Sequence, residues 1–124
     1  MNYKKFPFES FHLDLRPGEP YALLCALDLI ATSDTGSVGQ NQINFTSCKT
    51  TVEKLKRGIF DFTANERRVI ECSVATAVDL LSGFHNEYVS WDELDSDWQN
   101  DLRKNVFTYM RLLNVLIQSR KSDE

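Results

Sequence analysis

The segment Val106–Ile117 reads VFTYMRLLNVLI and contains nine apolar residues among its twelve. Successive residues of an α-helix are rotated by about 100°, so a helix through this segment and the residues before it has an apolar stripe about 120° wide. The stripe consists of Trp98, Leu102, Val106, Tyr109, Met110, Leu113, Leu116 and Ile117. We expect it to face the core of a mainly helical protein.

Three apolar residues of the same helix lie outside this stripe: Phe107, Leu112 and Val115. They are either covered by other parts of the chain or exposed to a partner. Exposed together, they would form an apolar patch of the kind that marks protein interfaces. We therefore predict a homodimer that uses Phe107, Leu112 and Val115.

Hydrophobic periodicity and capping residues predict about four helices in all. We expect them over residues 20–32, 48–57, 64–82 and 97–119, with a single helical turn near 91–95. The third and fourth should form a central antiparallel pair. A chain of 124 residues is long enough for one domain with a core. The predicted fold is thus one mainly all-α domain over 1–124, with an N-terminal arm over 1–19 and a frayed tail over 119–124.

The third helix has the clearest boundary signals. Thr63 with Glu66 three residues later is a capping box, in which each side chain binds the backbone N–H of the other residue. Gly83 is a natural stop, since glycine readily adopts the left-handed conformation that ends many helices. Two further candidate boxes precede the last helix: Ser90 with Glu93, and Ser96 with Gln99.

The N-terminal arm has a different periodicity. Phe11, Leu13 and Leu15 alternate with polar residues, which is typical of a short strand with one buried face. Ile43 and Phe45 alternate in the same way, after a segment over 33–42 whose glycines and small polar residues favour a loop. We predict a two-stranded β element formed by the arm and residues 43–46.

Composition restricts the functional classes. Asp and Glu outnumber Lys and Arg by 18 to 14, which gives a net charge of −4, so coating of nucleic acid or of an anionic membrane is not favoured. The apolar segment 21–31 is too short to cross a bilayer. The cysteines Cys25, Cys48 and Cys72 are odd in number and widely spaced. Because no export signal precedes them, we expect reduced thiols and a cytoplasmic protein.

The segment 84–101 combines acidic and aromatic residues and contains no Lys or Arg. Carboxylates that attract a basic partner and aromatic anchors that hold it would make this segment a recognition surface. The candidate partner-binding residues are Glu87, Tyr88, Trp91, Asp92, Glu93 and Asp95. A structural interpretation stays open, because acids are common at helix N-termini, where they cap backbone N–H groups. A calcium loop is disfavoured, because Asn100 and Val106 occupy positions that an EF-hand gives to Gly and Glu.

Cations gather over residues 49–68: Lys49, Lys54, Lys56, Arg57, Arg67 and Arg68. They could contact phosphates, so the alternative function is a small subunit that associates with nucleic acid. Cations near a helix C-terminus also complement the helix dipole.

No catalytic constellation accompanies these segments. His12 and His85 are the only histidines, and neither has a sequence context that implies a catalytic triad. The glycines lack the pattern of a phosphate-binding loop, and no cluster of Cys and His has the spacing of a zinc site. We therefore expect a protein without enzymatic activity, metal or cofactor. It would act as an inhibitor, an immunity-type protein or an adaptor that occupies a partner protein.

Overall fold

The structure is a computed structural model that describes residues 11–31, 38–86 and 89–123, and for residues 38–45 and 120–123 it describes the backbone only. This part of the chain is mainly helical. Its elements, in chain order, are β1 (Phe11–His12), α1 (Glu19–Ala31), α2 (Val38–Arg57), β2 (Asp61–Phe62), α3 (Ala64–Leu81), a 3-10 turn (Trp91–Glu93), α4 (Ser96–Lys104) and α5 (Val106–Asp123). The predicted all-α class is confirmed.

Helix α3 is the central element and contacts α1, α2, α4 and α5. The guanidinium of Arg67, near the start of α3, donates to the hydroxyl of Ser119, near the end of α5, at 3.0 Å. The two helices are therefore antiparallel, as predicted. Ile70, Val74 and Ala77 repeat along α3 at helical spacing and are fully buried, so this face of α3 forms the middle of the core.

The ends of α3 follow the sequence signals. The Thr63 hydroxyl accepts the N–H of Glu66 at 3.2 Å, and the Glu66 carboxylate accepts the N–H of Thr63 at 2.8 Å. The predicted capping box is thus present. At the other end Gly83 has φ of 80°, a conformation that glycine adopts without strain.

The β element forms with a different partner from the predicted one. Phe11 pairs with Phe62 in an antiparallel register, and Leu13 donates its N–H to the carbonyl of Phe60 at 3.0 Å. The prediction that residues 43–46 form the second strand is wrong, because they lie within α2. Phe60 and Phe62 are also separated by one polar residue. They follow α2 in the chain and lie beside the N-terminal arm in the fold.

Helix α2 begins at Val38, ten residues before its expected start. The prediction of a loop through residue 42 is therefore wrong for residues 38–42, while residues 33–37 lie outside the described residues. The C-terminal half of α2 packs through Cys48, Thr51 and Leu55, which are buried. Once such a half is fixed, each residue added at its N-terminus gains a helical hydrogen bond, and this gain offsets the weak helical propensity of Gly and Asn.

The expected single helix over 97–119 is divided. Helix α4 ends at Lys104, Asn105 adopts a non-helical conformation, and α5 begins at Val106. The side-chain amide of Asn105 donates to the carbonyl of Asp101 at 2.8 Å, and such local bonds compete with the helical pattern. Five α-helices result among the described residues. Helix α5 continues to Asp123, and fraying of the tail over 119–124 stays a prediction.

The buried face of α5 is rotated from the predicted stripe toward Leu112. Tyr109, Leu112 and Leu116 are fully buried, whereas Met110 and Ile117 are exposed. Polar contacts set this rotation, because Arg111 bonds to Glu19 of α1 and Ser119 to Arg67 of α3. The Tyr109 hydroxyl also donates to the carbonyl of Ala22 at 2.8 Å.

Candidate functional site

The candidate site begins where α3 ends. The N–H of Gly83 donates to the carbonyl of Leu80, and the N–H of Phe84 donates to the carbonyl of Asp79 at 2.9 Å. These two bonds form a Schellman motif, in which a hydrophobic residue after the glycine often packs back onto the helix. The side chain of Phe84 instead remains 68% exposed.

Phe84 lines an open cleft of about 740 Å³ between the end of α3 and the 3-10 turn. Four apolar side chains contribute to its walls: Leu80, Phe84, Val89 and Trp91. Its polar side chains are His85, Asn86, Ser90 and Glu93. Its volume falls within the range of ligand-binding pockets, and its lining is about equally polar and apolar.

Trp91 connects the cleft to α4. Its side chain is half-buried against the core, and the guanidinium of Arg103 lies 5.0 Å from the ring centroid. Its carbonyl accepts a hydrogen bond from the side-chain amide of Gln99 at 3.1 Å. Arg103 thus contacts the indole and Gln99 contacts the backbone of Trp91, so α4 adjoins this wall of the cleft.

Three of the predicted acids, Asp92, Glu93 and Asp95, are exposed, and two of these have local structural roles. The Glu93 carboxylate accepts the N–H of Ser90 at 3.0 Å, as that predicted capping box requires. The Asp95 carboxylate accepts the N–H of Trp98 at 2.8 Å and caps α4. The prediction that Ser96 caps this helix is wrong, because Ser96 is its first residue. Exposed Asp92 completes an acidic rim.

Of the predicted residues, Trp91 and Glu93 line the cleft, and Asp92 and Asp95 are their exposed neighbours in the chain. The predicted residues Glu87 and Tyr88 lie outside the described residues. Phe84 and His85 lie in the predicted recognition segment 84–101, but the predicted partner-binding residues did not include them. Gly83 signals the end of α3, but no sequence pattern tells whether the ring after it packs on the helix or remains exposed.

The predicted homodimer surface is altered by the rotation of α5. Leu112 is fully buried, and Val115 packs partly buried against the core. Leu112 is therefore not available to a partner, and its assignment to an interface is wrong. Phe107 is exposed, as that prediction requires. Self-association itself remains a prediction.

The cations of residues 49–68 are partly used within the chain. Lys54 contacts the buried Glu66 carboxylate at 2.7 Å, and the Arg67 guanidinium lies over the Phe11 ring at 4.3 Å. Burial raises the pKa of Glu66, but hydrogen bonds from Lys54, Thr50 and Thr63 outweigh it, and the pKa is lowered. Lys49, Lys56, Arg57 and Arg68 are exposed.

The two histidines lie in different parts of the structure. His12 binds Asp61 at 2.8 Å on the exposed surface of the β element, and His85 lines the cleft. Within residues 11–31, 38–86 and 89–123, no three His, Cys, Asp or Glu side chains are grouped so that they could hold a metal ion. The helices of this same part of the chain are too short or too polar to cross a membrane.

Comparison with protein-family models, with curated proteins and with solved structures gave no match. The interpretation of the cleft therefore depends on its own geometry and chemistry.

The three cysteines are free thiols, so titration of the unfolded protein without reductant should find three thiols. In the folded protein Cys48 should react more slowly with a thiol reagent than the half-buried Cys72, as followed by mass spectrometry. Burial raises the pKa of Cys48 to about 11, and the thiolate is the reactive form. A disulfide in the native protein, or modification of Cys48 before Cys72, would contradict this expectation.

Proposed function

We propose that this protein is a non-catalytic protein-binding module that acts as an inhibitor, an immunity-type protein or an adaptor by occupying a partner. The observation that carries the proposal is the exposed Phe84 ring in the cleft between α3 and the 3-10 turn. Aromatic side chains are enriched among the residues that dominate binding energy. Trp91 and Val89 extend the same apolar surface.

The acidic rim indicates the chemistry of the partner. Glu93 lines the cleft, and its neighbours in the chain, Asp92 and Asp95, are exposed. Carboxylates around an apolar surface favour a segment with Lys or Arg near an apolar or aromatic side chain, and they accelerate its association. We therefore expect a basic partner segment whose apolar residue enters the cleft.

Peptide display offers a direct test. A random peptide library selected on the protein, with Phe84→Ala used for counter-selection, should yield peptides that combine cations with an aromatic or aliphatic residue. Phe84→Ala should weaken the selected peptides about 30-fold, as expected when a binding anchor worth about 2 kcal/mol is removed. Tyr21→Ala is the matched control, because Tyr21 is an aromatic residue of α1 that is 61% exposed, and it should leave binding unchanged.

The rim is tested by charge neutralisation. The triple variant Asp92→Asn, Glu93→Gln, Asp95→Asn should slow association, most strongly at low salt. Asparagine still caps a helix, so α4 should persist, as thermal unfolding would verify.

Peptides without cations, or affinities unaffected by Phe84→Ala, would contradict the proposal. Salt-sensitive DNA binding lost in Lys56→Ala or Arg57→Ala would instead support the nucleic-acid alternative.

A further inference from the structure

The cleft that carries the proposed function contains the C-terminal end of α3. Leu80, Gly83 and Phe84 belong to this helix end and line the cleft. Gly83 has no side chain, so its backbone forms part of the wall. The last carbonyl groups of an α-helix have no partner further along the helix and carry the negative end of its dipole. This wall of the cleft is therefore electronegative.

The lining of the cleft does not compensate this negative helix end. The last turn of α3 contains no basic residue, and the sequence has no Lys or Arg over residues 69–102. Glu93 adds a carboxylate, which accepts the Ser90 N–H at 3.0 Å. Among the described residues that line the cleft, only His85 has a side chain that can become positively charged. The cleft is thus suited to a positively charged group.

The aromatic rings of the cleft indicate which positive group is favoured. The Arg103 guanidinium lies 5.0 Å from the centroid of the Trp91 ring, although Arg103 itself does not line the cleft. Phe84 is largely exposed, and within the described part of the chain no cation lies over its ring. A guanidinium is planar, stacks on aromatic faces and has five N–H donors, whereas an ammonium is a compact and strongly hydrated charge. The Phe84 ring therefore favours a guanidinium.

We propose that an arginine side chain of the partner enters the cleft, with its guanidinium at the C-terminal end of α3 beside Glu93 and its plane against the Phe84 ring. An arginine side chain has an apolar stem and a polar head, which matches a lining that is about equally apolar and polar. At about 740 Å³ the cleft also has room for an apolar residue of the same segment. This inference rests on the proposed function and specifies the cation that the partner supplies.

Other occupants match the lining less well. A carboxylate or a phosphate would be repelled by Glu93 and by the negative end of the α3 dipole. An apolar side chain alone would displace water from the polar lining groups without replacing their hydrogen bonds, which costs free energy. A lysine supplies the charge but not the planar group that stacks on Phe84.

Blocked single amino acids test this proposal on the full chain. The Nα-acetyl amides of arginine, lysine and citrulline share one backbone, and citrulline has nearly the shape of arginine without its charge. In titrations followed by backbone amide chemical shifts, the arginine derivative should bind with a Kd of about 1 mM, as expected for about 15 non-hydrogen atoms. It should shift the amides of Gly83, Phe84 and Glu93. The citrulline derivative should bind at least about fivefold more weakly and the lysine derivative about threefold more weakly.

Two variants and a control identify the groups that hold the arginine. Glu93→Gln should weaken binding of the arginine derivative about threefold, and glutamine still completes the capping box with Ser90. Phe84→Ala should weaken it about threefold through loss of stacking. Asp28→Asn, which neutralises an exposed carboxylate of α1, should leave binding unchanged. Circular dichroism checks that each variant is folded.

The other outcomes overturn the proposal. These are the absence of saturable shifts at the cleft, equal binding of arginine and citrulline or of arginine and lysine, and an affinity for arginine that neither Glu93→Gln nor Phe84→Ala changes. Failure of the proposed function is a different result. Selected peptides whose arginine can be replaced by citrulline without loss would contradict this inference alone, whereas arginine binding in the cleft without any selected peptide would contradict the proposed function.

Discussion

Leu112→Ala should lower the free energy of unfolding by about 2–5 kcal/mol, the usual range when a buried leucine is truncated and leaves a cavity. Leu112 is fully buried on α5, between the equally buried Tyr109 and Leu116. Phe107→Ala on the same helix should change the free energy of unfolding by less than about 0.5 kcal/mol, because surface substitutions seldom do more. Phe107 is the larger side chain, so the comparison separates burial from size.

Urea denaturation followed by circular dichroism would measure both variants under the same conditions. The midpoint should shift for Leu112→Ala with little change in the slope, which reflects the surface exposed on unfolding. If Phe107→Ala were the more destabilising variant, the buried face of α5 would be the one that Met110 and Ile117 share, contrary to their exposure in the structure.

The contrast between Leu112 and Phe107 also shows which structural features the sequence predicts and which it does not. The boundaries of α3 depend on Thr63, Glu66 and Gly83, which act on neighbouring backbone groups, so they can be recognised locally. The rotation of α5 depends on contacts between residues far apart in the chain, such as Arg111 with Glu19. An apolar content of nine in twelve residues is compatible with several rotations, and the observed one buries Leu112 while it pairs Arg111 with Glu19.

The candidate site was likewise predictable only in its local features. The acids and aromatics of residues 84–101 are visible as composition, and in the structure Trp91 and Glu93 line the cleft. The exposure of Phe84 depends on tertiary packing, which the local sequence does not reveal. The division of the last helix at Asn105 was also missed, because one asparagine in a strongly apolar helical pattern is a weak signal.

Arg111→Ala should destabilise the protein by about 3 kcal/mol at neutral pH, because it leaves a buried carboxylate without its cation. Glu19 is buried at the start of α1, and its carboxylate accepts the Nε–H of Arg111 at 2.7 Å and the N–H of Arg16 at 2.7 Å. Arg111 also donates to the carbonyl of Asp14 at 3.2 Å. The Arg111 side chain thus links α5 to Asp14, in the turn before α1, and to Glu19, the first residue of α1. Arg68→Ala, which removes an exposed arginine of α3, is the matched control and should have little effect.

The effect of Arg111→Ala should depend on pH, and the sign follows from Glu19. Burial raises the pKa of this carboxyl, but hydrogen bonds and charge from Arg111, with the Arg16 N–H, outweigh it, so the pKa lies below the usual 4.5. The stabilisation from Glu19 is therefore complete above pH 4.5 and is lost as the pH falls through the lowered pKa. In Arg111→Ala, burial dominates and the pKa should rise, so protonation relieves the unpaired charge.

The difference in unfolding free energy between wild type and Arg111→Ala should accordingly be largest near neutral pH. It should decrease as the pH falls through the raised pKa of Glu19 in Arg111→Ala and level off below the lowered pKa of Glu19 in the wild type. Urea titrations of both proteins over this range would measure it, and the Lys54–Glu66 pair, common to both, cancels in the difference. Glu19→Gln combined with Arg111→Ala has no carboxyl to titrate at this position, so its difference from Glu19→Gln alone should be nearly independent of pH. A pH-independent cost of Arg111→Ala in the presence of Glu19 would mean that Arg111 acts through packing and its bond to Asp14, and that the carboxylate is not what it stabilises.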